Sequence, residues 1–330
     1  MNPTNPAVDE LARACWAEIA ERNSRRYTFA FPKVQPEAAP VEPEPEPEPA
    51  APNERVKSAR PTTWDDVIGN TRAVAQIREA QAAAKLDGRP MPHTLLFGPP
   101  GMGKTTMSKL IAQDSGGQFF ETTASTLETP ADVIRYLWAM NEARRTSGNP
   151  ATLFIDEIHM LGVARGRLAV DQEALFPLFE DWVFPHNLIR KTVQNMQGRP
   201  VLLTSNELRV WPFTAVGATT EPGALSQALL RRFVVQVELE PYSEAEIAQI
   251  AAGSARRLGW PVQDEALVTL AAYSRRNPGT SNNLLSAARS RARMTGRATI
   301  DRDTMAEVIE RQQLFPQGLT ATDIRVLMAL

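Results

Sequence analysis

The chain has 330 residues, 43% of them hydrophobic, and a formal net charge of -2, which suits two or three domains with real cores and excludes a global basic field for nucleic acid. Its one cysteine, Cys15, excludes an internal disulfide framework and a cysteine-based zinc cluster. No apolar run approaches the ~18 residues of a membrane span and no signal-peptide pattern opens the chain, so a soluble, cytoplasmic protein without a membrane partner is expected.

In chain order, Leu11, Cys15 and Ile19, with Ala12 and Trp16 beside them, recur at helical spacing. They predict a short amphipathic helix from Pro6 to about Arg26, within an extension of residues 1–33. Residues 34–57 read as a linker: from Gln35 to Pro52 the chain is largely Glu, Pro and Ala, including Glu42-Pro-Glu-Pro-Glu-Pro-Glu-Pro49. Alternating prolines fix φ and like charges repel, so this stretch predicts an extended, semi-rigid spacer, and the helix before it reads either as a frayed extension or as a docking peptide held away from the rest. Charge follows the same division, with seven Lys/Arg against ten Asp/Glu in residues 1–59 and 29 against 28 in the remainder.

From Arg60 the texture changes. Helical patterns alternate with the short apolar runs Thr94-Leu-Leu-Phe97, Thr152-Leu-Phe-Ile155 and Phe213-Thr-Ala-Val216. Runs of that length between helices fit buried strands of a parallel sheet. After Pro241 only helices are expected, over Ser243–Arg257, Asp264–Arg275, Ser281–Thr295 and Asp301–Gln313. The expectation is an α/β domain over 58–240, a small all-α domain over 241–314, and a short tail over 315–330.

The chemistry is carried first by Gly98-Pro-Pro-Gly-Met-Gly-Lys-Thr105. It fits the phosphate-loop pattern of glycine, four residues, then Gly-Lys-Thr, with an apolar strand before it and a helix from Lys104 after it. The glycines let backbone N–H groups curl around a β-phosphate, and the helix N-terminus adds its dipole. Lys104 supplies a point charge for the β/γ oxygens of ATP, and the Thr105 hydroxyl can ligate Mg²⁺. A second strand ends at Asp156-Glu157, where Asp156 can hold hydrated Mg²⁺ and Glu157 can orient or deprotonate a water, chemistry that suits hydrolysis. An acid pair alone is usually a solvated turn; the phosphate loop upstream decides for function. His159 is assigned no chemical role.

Gly98-Pro-Pro-Gly-Met-Gly-Lys-Thr-Thr106, with Asp156-Glu-Ile-His159 and Gly217-Ala-Thr-Thr220, resembles the AAA+ ATPases, and among them the RuvB family of Holliday-junction branch-migration motors. The similarity runs from about Arg60 to Leu330. It implies a P-loop NTPase sheet domain followed by a helical lid, with Gly98, Pro99, Pro100, Gly101, Met102, Gly103, Lys104, Thr105 and Thr106 as the phosphate cradle. It implies that Thr220 senses the γ-phosphate, and that Arg232, before Phe233, is an arginine finger reaching a neighbour's ATP, with Arg231 as the fallback. Arg60, Ile68 and Tyr242 fall at the adenine pocket. A homo-oligomeric ring, a hexamer, and DNA, branched or not, follow as expected partners.

Three departures from the family stand out. Its second-sensor arginine falls here on Gly279, with Arg276 and Arg275 beside it as substitutes. The stretch from Asp181 to Phe213 is divergent; Gln197-Gly-Arg-Pro200 can turn a hairpin returning on Val201-Leu-Leu203, and residues 182–212 or 1–33 are the places for a protein partner. The family's winged-helix domain has no counterpart before Leu330. Arg289, Arg291, Arg293 and Arg297 form a positive run on the lid, a weak DNA-contact candidate because a charged helix face is usually only solvated. The expected function is ATP hydrolysis in a ring that drives DNA translocation or branch migration. The alternative is a loader or adaptor acting on a replicative helicase, clamp or recombinase through its N-terminal extension.

Overall fold

A computed structural model describes residues 58–161, 170, 172–186 and 191–329. The expected N-terminal helix and the Glu/Pro spacer lie outside these residues. The α/β part runs α1 (Thr71–Leu86), β1 (Thr94–Phe97), α2 (Lys104–Ser115), β2 (Phe119–Thr123), α3 (Pro130–Ser147) and β3 (Thr152–Asp156). It continues through α4 (Phe176–Asp181), the short strands β4 (Val183–Pro185), β5 (Thr192–Gln194), β6 (Pro200–Leu202) and β7 (Glu207–Arg209), then β8 (Thr214–Thr219), α5 (Gln227–Arg232) and β9 (Val235–Glu238).

Five strands form one parallel sheet in the order β2-β3-β8-β1-β9. Residues on its strands alternate between faces, and each face has its own core. Leu95, Ile155 and Ala215 pack with Ile134 and Leu137 of α3. Leu96, Phe154 and Val216 pack on the other side with Ile77 of α1 and Ile111 of α2. All six residues of β8 are buried, as a central strand covered on both faces requires. The sequence placed this strand at Phe213–Val216; it runs to Thr219, because Gly217 and Ala218 keep it buried without looking like an apolar run. Both edge strands went unforeseen. Phe119-Phe-Glu-Thr-Thr123 and Val235-Gln-Val-Glu238 alternate buried with exposed residues, so neither reads as a continuous apolar segment.

In the divergent stretch, β5 and β6 form the expected hairpin, its turn at Asn195–Arg199 two residues earlier than read, and β4 pairs with β7. Met196 and Leu202 are exposed there.

The remaining helices are α6 (Glu244–Leu258), α7 (Asp264–Ala272), α8 (Pro278–Met294), α9 (Arg302–Arg311) and α10 (Ala321–Ala329). Ser243 and Glu246 close a capping box at the start of α6, and Gly259 ends it in the left-handed region. α7 stops short of the expected Arg275, because Arg275 and Arg276 take φ of 52° and 54° and swing the chain back toward the sheet. α8 therefore starts at Pro278, three residues before the expected Ser281, capped by the Asn277 side chain accepting from the Thr280 N–H. Leu267, Leu270, Leu284, Leu285 and Met305 of this helical lid belong to the same buried cluster as Leu96 and Ile111. Of the lid arginines, Arg291 and Arg297 share Glu307, and Arg297 also lies 3.8 Å from Asp301, so two of the four arginines of the expected positive run are ion-paired.

Candidate nucleotide site

Parallel strands deliver their C-terminal ends to one edge of the sheet, and there the functional groups converge. Phe97, the last residue of β1, stands opposite Thr219, and Ile155 of β3 stands opposite Gly217. The loop leaving β1, the acids leaving β3 and Thr220 leaving β8 are thereby set side by side. The Gly98 N–H bonds the Thr219 carbonyl at 3.3 Å, fixing the loop to the central strand.

Beneath the lid lies a cavity of about 320 Å³. One end is lined by Pro100, Gly101, Met102, Gly103, Lys104, Thr105 and Thr106 with Asp156 and Glu157; the other by Arg60, Ile68 and Tyr242 among others. Gly98, Pro99, Thr220 and Arg232 do not line it. Lys104 opens α2 and is buried, its ammonium donating to the carbonyls of Gly98 at 2.8 Å and Pro99 at 3.1 Å. Burial pulls its pKa below the ordinary lysine value, opposed by the charges of Glu157 and Asp156. A buried ammonium held by loop carbonyls and faced by two carboxylates is a cation provided for an anionic ligand, and a glycine-lined turn at a helix start supplies the N–H groups for its phosphates.

Asp156 ends β3, and its Oδ1 accepts the Glu157 N–H at 3.0 Å. Burial, then the neighbouring Glu157 charge, raises the Asp156 pKa, against the pull of Lys104. Glu157 takes a left-handed backbone, φ 48°, which breaks the chain out of the strand. Its Oε2 accepts the Thr220 hydroxyl at 3.2 Å. His159, assigned no chemical role from the sequence, touches this carboxylate: its Nδ1 stands 3.2 Å from the same Oε2 and 2.9 Å from the Thr219 hydroxyl, which itself accepts the Glu221 N–H. A carboxylate can only accept, so the tautomer carrying its proton on Nδ1 satisfies this geometry. His159 and Thr220 together aim the Glu157 carboxylate. The clue was the short span Glu157-Ile-His159, but the Thr219 contact lies 60 residues on.

Away from the cavity, Arg232 pairs with Glu180 at 2.8 Å and donates to the Ala228 carbonyl at 2.6 Å. Its guanidinium lies 3.9 Å from the Phe176 ring centre. Arg231 beside it is exposed.

At the lid, the Gly279 N–H donates to the Gly101 carbonyl at 3.1 Å, and a Cβ on Gly279 would stand 3.0 Å from the Gly101 Cα. Gly101 takes φ 79°, and a Cβ there would meet the Asn277 Oδ1 at 2.5 Å. The Asn277 amide donates to the Pro100 carbonyl at 2.6 Å. Neither substitute for the second sensor lines the cavity: Arg276 bonds the Tyr242 carbonyl and Arg275 the Gly318 carbonyl. Tyr242 is buried, its hydroxyl donating to the Met102 carbonyl at 3.2 Å, so one ring ties that end of the cavity to the phosphate loop. A further arginine, Arg257 of α6, lines the cavity where no sequence signal pointed. Among the described residues, no three His, Cys, Asp or Glu converge as a metal cage, and no helix is long and apolar enough to cross a membrane.

Comparison with known proteins bears on this site. Residues 59–239 match the sequence model of the Holliday junction DNA helicase RuvB P-loop domain. The Holliday junction branch migration complex subunit RuvB 2 of Synechococcus sp. (strain JA-3-3Ab) is 35% identical over 313 residues, 94% of this chain and 76% of that one. The subunit RuvB of Anaeromyxobacter sp. (strain K) is 35% identical over 83% of this chain and 74% of its own. A solved structure of the Thermotoga maritima RuvB Holliday junction branch migration motor superimposes with a TM-score of 0.65 at 28% identity, covering 82% of this chain and 78% of that one.

Proposed function

The chain belongs to the RuvB family of AAA+ ATPases, and from that premise we propose that it is a ring motor coupling ATP hydrolysis to the migration of four-way DNA junctions. The observation that carries the reading is the division of the hydrolytic groups. Lys104, Asp156 and Glu157 line a cavity under the lid of their own chain, while Arg232 does not line it and is paired with Glu180 instead. Such a site is one half of a composite, completed when a second copy presents its arginine.

In this reading the phosphate cradle from Gly98 to Thr106 holds the triphosphate, and Lys104 neutralises its β/γ oxygens. The Thr105 hydroxyl and Asp156 are the groups that would hold Mg²⁺, and the donor set fits: Mg²⁺ keeps several waters and phosphate oxygens and asks for only one or two protein ligands. When bound, the ion supplies charge neutralisation between the β- and γ-phosphates. Glu157 takes the proton of an attacking water, aimed by Thr220 and His159. Thr220 links the occupancy of the γ-position to that carboxylate. Arg60, Ile68 and Tyr242 form the wall for the adenine. Arg232, released from Glu180 and Phe176, would reach the neighbour's γ-phosphate in a ring, a hexamer by family likeness. Residues 58–240 serve as the motor and 241–314 as its lid. Residues 182–212, with Met196 and Leu202 exposed on the hairpin, or residues 1–33, are the places for a protein partner.

The test is steady-state ATPase with duplex, single-stranded and four-way DNA, paired with a mass measurement in ATP and Mg²⁺. Four-way DNA should raise turnover most, and ATP should shift the mass to a closed multiple of the chain. Absence of stimulation by every DNA structure would sink the motor reading.

A further inference from the structure

The base end of the cavity has two walls from distant parts of the chain. Ala59, Arg60, Asp66 and Ile68 come from the segment before α1; Ile250, Ser254 and Arg257 come from the lid helix α6. A single acceptor joins them. The Ala59 carbonyl receives the Arg257 Nε–H at 3.0 Å, a terminal N–H of the same guanidinium at 2.7 Å, and the Ser254 hydroxyl at 3.2 Å.

The rest of the segment is anchored downstream. The Trp64 indole donates to Asp114 of α2 at 2.8 Å, and the Asn70 side chain brackets the backbone of Glu240. Upstream of Trp64, among the described residues, the hydrogen bonds tying the segment to another element are the three on Ala59. A rigid two-pronged donor suits that task better than a lysine, because the fork fixes direction as well as distance.

We propose that Arg257 is a positioning residue of the nucleotide site: with Ser254 it latches the Ala59 carbonyl to α6, holding the stretch that bears Arg60 against the base. The inference rests on the nucleotide reading above and adds how the base end is shut and by which residue. Since α6 rides on the lid, the latch makes base occupancy and lid position one event. Phosphates bind at the opposite end, on loop and sheet groups that the latch does not touch. Losing it therefore penalises ligands carrying a base and spares those that are phosphate alone.

The experiment measures binding of ATP and of inorganic tripolyphosphate, each with Mg²⁺, to the full chain and to Arg257→Ala, Arg257→Lys, Ser254→Ala and Lys104→Ala. Arg257→Ala should weaken ATP about tenfold, the effect of losing a charged hydrogen-bonding pair, with tripolyphosphate changed less than about twofold. KM for ATP should rise while kcat at saturation holds, and Arg257→Lys, which keeps the stem and one donor, should recover part of the loss. Equal weakening of both ligands, or unaltered ATP affinity, overturns the latch. If Arg257→Ala does not fold, Arg257→Lys combined with Ser254→Ala carries the same comparison. Lys104→Ala separates the two readings: if it leaves both ligands bound as before, the nucleotide assignment fails, whatever Arg257 does.

Discussion

At the phosphate end of the cavity, each group hangs from the edge of one parallel sheet, fixed by ladder hydrogen bonds and a helix start. At the base end, the walls come from segments 198 residues apart and meet through side chains on one carbonyl. Strand register sets the first arrangement and cannot drift by a fraction of a residue. The second is held by a few hydrogen bonds, each worth only ~1–3 kcal/mol. The phosphate end is therefore held the more rigidly, and the end at Ala59 is the more easily parted.

Substitutions test that division, beginning with the largest effect. If Arg232 completes a neighbour's site, Arg232→Ala should lower turnover about a thousandfold, at the low end for an arginine finger, and leave ATP affinity intact. Steady-state rates across protein concentration, beside equilibrium binding, read this out; full turnover from a monomer would show that each chain holds a whole site. Next, if Glu157 accepts the water's proton, Glu157→Gln should slow hydrolysis by roughly a hundred- to a thousandfold, trapping unhydrolysed ATP measurable by filter retention. Unchanged turnover would take Glu157 out of the chemistry. The smallest effect belongs to Asn277→Ala, which loses the α8 cap and the bond to Pro100. It should cost about 1 kcal/mol, read as a shift in the urea midpoint. If it instead cuts kcat as deeply as Glu157→Gln, lid seating is part of the chemical step and the two ends cannot be treated separately.

How far each end could be read from the sequence follows the same physics. The phosphate loop is contiguous, and its glycines, lysine and hydroxyl sit at fixed offsets, so eight letters carry it. The acid pair was visible because a buried strand ends there. The contacts of His159 were not legible because one of them is to a hydroxyl on another strand, and register between strands is not written in either one. Arg257 left no trace: two arginines in the last turn of a helix are ordinary, and only the fold shows that one of them reaches Ala59. The outer strands β2 and β9 were missed for their alternation, and the reversal at Arg275 and Arg276 because left-handed backbone at two arginines has no propensity signal. Arg232 was marked by family likeness; its stacking on Phe176 and pairing with Glu180 came from the structure.

The contact between Gly101 and Gly279 limits what position 279 can carry. A Cβ added at Gly279 would lie 3.0 Å from the Gly101 Cα, and one added at Gly101 would lie 2.5 Å from the Asn277 Oδ1. A side chain at position 279 would therefore press on the backbone of the phosphate loop, and a long residue there could seat only if the loop or the start of α8 gave by a few tenths of an ångström.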